Sequence, residues 1–146
     1  MSPEHTPFQQ VLNAYQAAVR AKDVEAFLAI YSDDLQVFDM WGAWSLRGID
    51  AWRRMATEWF ASLGSDYVVV EAEEVASSAD AGLAVGHALL RYTAYSADGR
   101  RLRSLDNRIT VAMRRAGETW RIFHEHTSAP IGHETTKAVL QRDGGE

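Results

Sequence analysis

Cysteine is missing altogether from this chain of 146 residues. Its absence excludes disulfides, thiolate nucleophiles and zinc sites built on cysteine. Long apolar runs are missing as well: none approaches the roughly 18 residues that a membrane-spanning helix needs. Met1 to Thr6 lack the basic-then-apolar pattern of a secretory signal, so a cytoplasmic protein with no membrane partner is expected. Positive charge is in deficit, with 15 Lys and Arg against 20 Asp and Glu and a net charge of -5. That balance argues against a nucleic-acid surface, which must concentrate cations against phosphates. The one basic cluster, Arg100-Arg101-Leu102-Arg103, sits beside a turn signal and reads as a solvated hairpin end. There is no glycine-rich phosphate loop, nucleophile elbow or zinc motif.

What remains is ordinary globular composition, 47% hydrophobic and 24% charged, with five Trp, five Tyr and five Phe. This length suits one domain with one core, and the aromatics are numerous enough to line a cavity as well as fill a core. Phe8, Leu12, Tyr15 and Val19 recur at helical spacing between Phe8 and Arg20. Asp23 can cap a second short helix carrying Val24, Phe27, Leu28 and Tyr31, which Ser32-Asp33-Asp34 would end. Leu35 to Trp41 alternates as a strand, and Gly42 and Gly48 bracket a loop. A third helix has Ile49, Trp52, Met55, Ala56, Trp59 and Leu63 on one stripe. Beyond it the pattern is β: Tyr67–Val75, Leu83–Tyr95, Arg101–Arg115 and Thr119–Ser128, separated by turn sequences that include Asp98-Gly99 and Ala116-Gly117-Glu118. After Pro130 the chain is polar, and residues 131–146, Gly144-Gly145-Glu146 above all, read as a frayed tail. The fold class expected is α+β, a curved antiparallel sheet wrapped around three N-terminal helices as a cone with a central pocket, in a single domain over 1–146.

Several residues could carry chemistry in such a pocket. Asp39 shares its strand face with Leu35, Val37 and Trp41, which points a carboxylate inward. Lost hydration would raise its pKa and suit it to act as a base; the alternative is a strand-end carboxylate that satisfies backbone N–H groups or pairs with an Arg. Tyr15 lies on the apolar stripe of the first helix, as a core aromatic or as a hydrogen-bond donor to a ligand oxygen. His124 and His126 share a strand face with Trp120, Ile122 and Ser128, which places them toward the cavity mouth. A metal would need a third ligand, which Asp39 or His87 could supply, yet no spacing demands one, and neither metal nor cofactor is expected. Asn107 shares its face with Leu105, Ile109, Val111 and Met113 and reads as an inward amide. His87 and Arg91 share one face of their strand, and which face is inside stays open. Trp41, Trp59 and Phe60 are candidate pocket walls, or plain core.

The stretch AYQAAVRAKDVEAFLAIYSDDLQVFDMWGAWSLRG resembles the front half of the ketosteroid isomerase family. RITVAMRRAGETWRIFHEHTSAP resembles the SnoaL-like branch of the nuclear transport factor 2-like superfamily, through Arg108, Thr110, Gly117, Trp120, His124, His126, Ser128 and Pro130. The resemblance implies Asp39 as general base and Tyr15 as oxyanion donor, with Thr110 near the position of the family's second donor, which is an acid. It implies a cofactor-free isomerase, cyclase or lyase acting on a small hydrophobic carbonyl compound, with His124 or His126 orienting the substrate. Two other roles suit the same fold, a non-catalytic binding protein and an oligomerisation module. A homodimer through the outer sheet face, with Phe38 and Phe123 in the contact, is expected alongside any of them.

Overall fold

Two local caps set the helical part of the chain. Thr6 accepts a hydrogen bond from the Gln9 amide at 3.1 Å and opens α1, Pro7–Ala21. Pro7 sits in the first turn, where its missing N–H leaves no bond unmade. Asp23 accepts from the Ala26 amide at 3.0 Å and opens α2, Val24–Leu28. Lys22 between them is left-handed at φ 55°. Its ammonium donates to the carbonyls of Gly64 and Asp66, which ties the end of α1 to the end of α3, Ile49–Ser62. The computed structural model describes residues 5–142, and no helix among them is long and apolar enough to cross a membrane.

The second helix was expected to carry Tyr31, but α2 stops at Leu28 and Tyr31 opens β1, Tyr31–Phe38. The cause is non-local. The Ile122 amide donates to the Ile30 carbonyl at 2.9 Å, and Tyr31 then pairs in parallel with Ile122. The strand also ends before Trp41, so Asp39 is the first residue beyond it. The remaining strands are β2 (Leu46–Arg47), β3 (Tyr67–Ala79), β4 (Leu83–Tyr95), β5 (Arg101–Ala116) and β6 (Thr119–Ser128). Their order in one sheet is β2-β1-β6-β5-β4-β3. Every pair is antiparallel except β1 with β6, which makes the sheet mostly, not wholly, antiparallel within the expected α+β class. Register shifts at Glu73/Ala76, Ala94/Tyr95 and Ala112/Met113 add bends of the kind that curl a sheet.

Phe27, fully buried, is the hub of the core. Tyr15, Tyr31, Trp52, Trp59 and Phe60 all place their rings within 6.4 Å of its own, distances at which aromatic pairs attract. At the other end of α1, Phe8 lies flat on Gly86 of β4, where a Cβ would stand 2.2 Å from the ring. Phe8 is itself buried and has no room to swing aside. Gly86→Ala is therefore expected to cost about 1–3 kcal/mol of stability, read as a lower midpoint in urea unfolding. An unchanged midpoint would show that α1 shifts freely on the sheet.

After Pro130 the chain turns back on itself. Val139 donates its amide to the Pro130 carbonyl, and the Asp106 amide donates to the Leu140 carbonyl, each at 2.7 Å. Gln141 Nε2 donates to the Ser104 carbonyl at 2.9 Å. Asp106 holds this arrangement from beneath: Arg91 donates to both of its oxygens, at 2.8 and 3.1 Å, and the Arg142 amide donates to Oδ2 at 2.7 Å. The stretch expected to fray is thus fastened to β5 as far as Arg142. Gly144-Gly145-Glu146 lie outside the described residues.

Candidate functional site

The concave face of the sheet and the helices enclose a cavity of about 890 Å³, large enough for a drug-sized molecule. Its interior walls are apolar: Phe27, Trp52, Leu63, Val68 and Ala94 are buried there, with Trp59 and Leu105 half-buried beside them. The exposed lining residues Trp41, Arg54, Glu58, Arg103 and Gln141 mark the mouth.

Three hydrogen-bonded pairs supply nearly all the polarity inside. The Tyr15 and Tyr92 hydroxyls lie 2.8 Å apart. One of them donates to the other, and the acceptor keeps its own proton for a ligand. Burial pushes both phenols well above their ordinary pKa, so both stay protonated donors. The Tyr31 hydroxyl donates to Glu125 Oε1 at 2.7 Å. Thr127 Oγ1 donates to Asp39 Oδ1 at 3.0 Å and accepts from the Met40 amide at 2.9 Å. Asn107 stands beside them, its Nδ2 directed at the Met40 sulfur at 3.5 Å and its Oδ1 buried without a partner among the described residues.

Two carboxyl groups therefore share one apolar chamber. Burial raises the Asp39 pKa, while the Thr127 hydroxyl and the Met40 and Trp41 amides hold it back. Burial pushes Glu125 further, to about 7, the Asp39 charge adding to the effect and the Tyr31 hydrogen bond opposing it. The partly solvated acid, less strongly shifted, is suited to the role of base. The dry one keeps a proton into the neutral range and can donate it. Two carboxyl groups whose surroundings separate their pKa values are suited to opposite roles.

Tyr15, Asp39, Trp41, Trp59 and Asn107 are all brought to this cavity. Phe60 is not; it packs in the core against Phe27 and Trp59. His124 and His126, expected at the mouth, lie on the opposite face of the sheet. Ile122 pairs with Met113 and His124 with Ala112, so Phe123 is an extra residue in β6. Such a bulge reverses the alternation for every residue after it. His124 instead binds the Gln36 carbonyl through Nδ1 at 2.9 Å, and both imidazoles pack edge-on against Phe38 outside. The same bulge turns Glu125 and Thr127 inward. His87 is exposed on the outer face of β4, and Arg91 is engaged with Asp106.

Tyr31, Tyr92, Glu125 and Thr127 were not singled out from the sequence. Tyr92 had a readable signal. Ala84, Gly86, Ala88, Leu90, Tyr92 and Ala94 alternate without a charge, whereas the other face of β4 carries His87 and Arg91. Glu125 and Thr127 had none, because nothing local announces the bulge. Among the described residues no group of three or more His, Asp or Glu is placed to hold a metal ion.

No functionally curated protein matches the chain in sequence. Among solved structures it is similar to a nuclear transport factor 2-like protein of unknown function from Pseudomonas putida KT2440, with 29% identity over 92% of each chain and a TM-score of 0.78. It shares its fold with an uncharacterized protein of cystatin-like fold from Caulobacter vibrioides, at 22% identity over 84% of this chain and 86% of that one, TM-score 0.67. It also shares it with Aln2 from a Streptomyces species, at 16% identity over 88% of this chain and 92% of that one, TM-score 0.74. The SnoaL-like domain profile matches residues 9–132, which take in every element from α1 but its first two residues through β6, and the chain belongs to the SnoaL-like domain family.

Proposed function

We propose that this protein takes a small hydrophobic carbonyl compound into its cavity and moves a proton on it without a cofactor, as an isomerase or cyclase does. Asp39 acts as general base at the carbon beside the carbonyl. The Tyr15–Tyr92 pair donates to the oxygen on which negative charge develops, and Glu125, protonated, is a further donor on the same chamber. The observation that carries this reading is that a half-buried carboxylate and a hydrogen-bonded pair of phenols line one apolar cavity. A base and a donor held in a dry site are what an enolate needs.

The reaction can be followed without knowing the natural substrate. A cyclic ketone bound in D2O should exchange its α-protons for deuterium, visible as loss of their NMR signal. Tyr15→Phe and Tyr92→Phe should each slow that exchange by about 100-fold, the usual cost of one oxyanion donor, with circular dichroism unchanged. A ketone that binds and is recovered without exchange would overturn the catalytic role and leave a binding protein.

A further inference from the structure

Arg54 on α3 and Arg103 on β5 both line the cavity and are exposed at its mouth. Neither makes a hydrogen bond or ion pair with another described residue, although acids outnumber bases in the chain. Several arginines elsewhere in the chain are paired with acids. Arg53 is paired with Glu25, Arg91 and Arg142 are paired with Asp106, and Arg114 is paired with Asp34. Glu58 lies one turn after Arg54 on α3 and also lines the mouth, yet no salt bridge joins them. Two guanidinium groups thus flank the opening of an apolar chamber with their donors uncommitted.

We propose that the mouth is an anion subsite, and that the ligand is an amphipathic acid whose carboxylate is held between Arg54 and Arg103 while its apolar, carbonyl-bearing body fills the chamber. This rests on the cavity being the binding site for a carbonyl compound. The orientation follows from the walls. The interior already holds the Asp39 carboxylate in an apolar chamber, which would repel a second one, so the charged end stays outside. Guanidinium forks match a carboxylate in shape and charge, and low-dielectric walls focus their field on the opening. Glu58 on the same rim disfavours a second negative charge, which selects a monoanion over a phosphate dianion.

Anthracene-9-carboxylate and its neutral methyl ester, followed by fluorescence titration, test this directly. The acid should bind about tenfold more tightly than the ester at low salt, and the two should compete for one site. In the double variant Arg54→Gln/Arg103→Gln the acid should fall to the affinity of the ester, with ester binding unchanged. Rising salt should weaken only the acid. Equal binding of acid and ester, or a preference for the acid that survives in the double variant, would overturn the anion subsite and leave the cavity reading intact. If neither probe bound, the cavity reading itself would fail, and the subsite with it.

Discussion

Asp39→Asn is expected to reduce α-proton exchange on a bound ketone by roughly 100- to 10,000-fold, the range contributed by a positioned general base. An amide of the same shape can still accept from Thr127 Oγ1, so the loop after β1 should keep its path and the protein its fold. Only the capacity to take up a proton is removed. The raised pKa of Asp39 matters here, because a carboxylate of ordinary acidity is a weaker base toward carbon. Its half-buried position just past the end of β1 raises its basicity, while the Thr127 hydroxyl and the Met40 and Trp41 amides hold the rise back. Ketone affinity should change little. Wild-type exchange in the Asn variant would remove Asp39 from the mechanism and turn attention to Glu125.

Glu125→Gln should give the largest change in stability, and its size should depend on pH. In the unfolded chain this carboxyl ionises near its ordinary 4.5, whereas the folded protein holds its proton to about 7. Between those values the unfolded chain loses the proton while the folded one keeps it. Rising pH therefore favours unfolding, and the loss levels off above about pH 7. At about 1.4 kcal/mol per pH unit the penalty reaches about 3 kcal/mol. The glutamine amide mimics the protonated acid and can still accept from Tyr31. The variant should match the wild type near pH 4 and exceed it by about 3 kcal/mol at pH 8 in urea unfolding. Asp39 is shifted in the same direction and its charge is part of what raises Glu125, so the difference between the two profiles reports Glu125 together with its coupling to Asp39. Parallel pH profiles for the two would mean that Glu125 is solvated and already ionised in the folded state.

Much of the architecture was legible in the order of the residues. The stripes of α1 and α3 have the period of a helix, and the β4, β5 and β6 strands are separated by turn sequences whose chemistry is local. Tyr15 and Asn107 could be placed inward for the same reason: each sits on a stripe or alternation that runs unbroken through it. Tyr92 was within reach by the same logic, through the uncharged face of β4.

The rest depended on partners distant in sequence. Tyr31 continues a plausible helix until Ile122, far along the chain, offers a strand to pair with, and backbone bonds to β6 then outweigh local propensity. The bulge at Phe123 is a matter of register between β5 and β6, and register is set by the fit of two strands rather than by either alone. It decides which side chains face the chamber, exchanging His124 and His126 for Glu125 and Thr127. The sequence by itself determined that helices and a curled sheet would enclose a pocket with Tyr15 and Asp39 near it. Only the tertiary structure decided that a second acid, not a pair of histidines, completes its polar end, because one extra residue in a strand reverses every side chain beyond it.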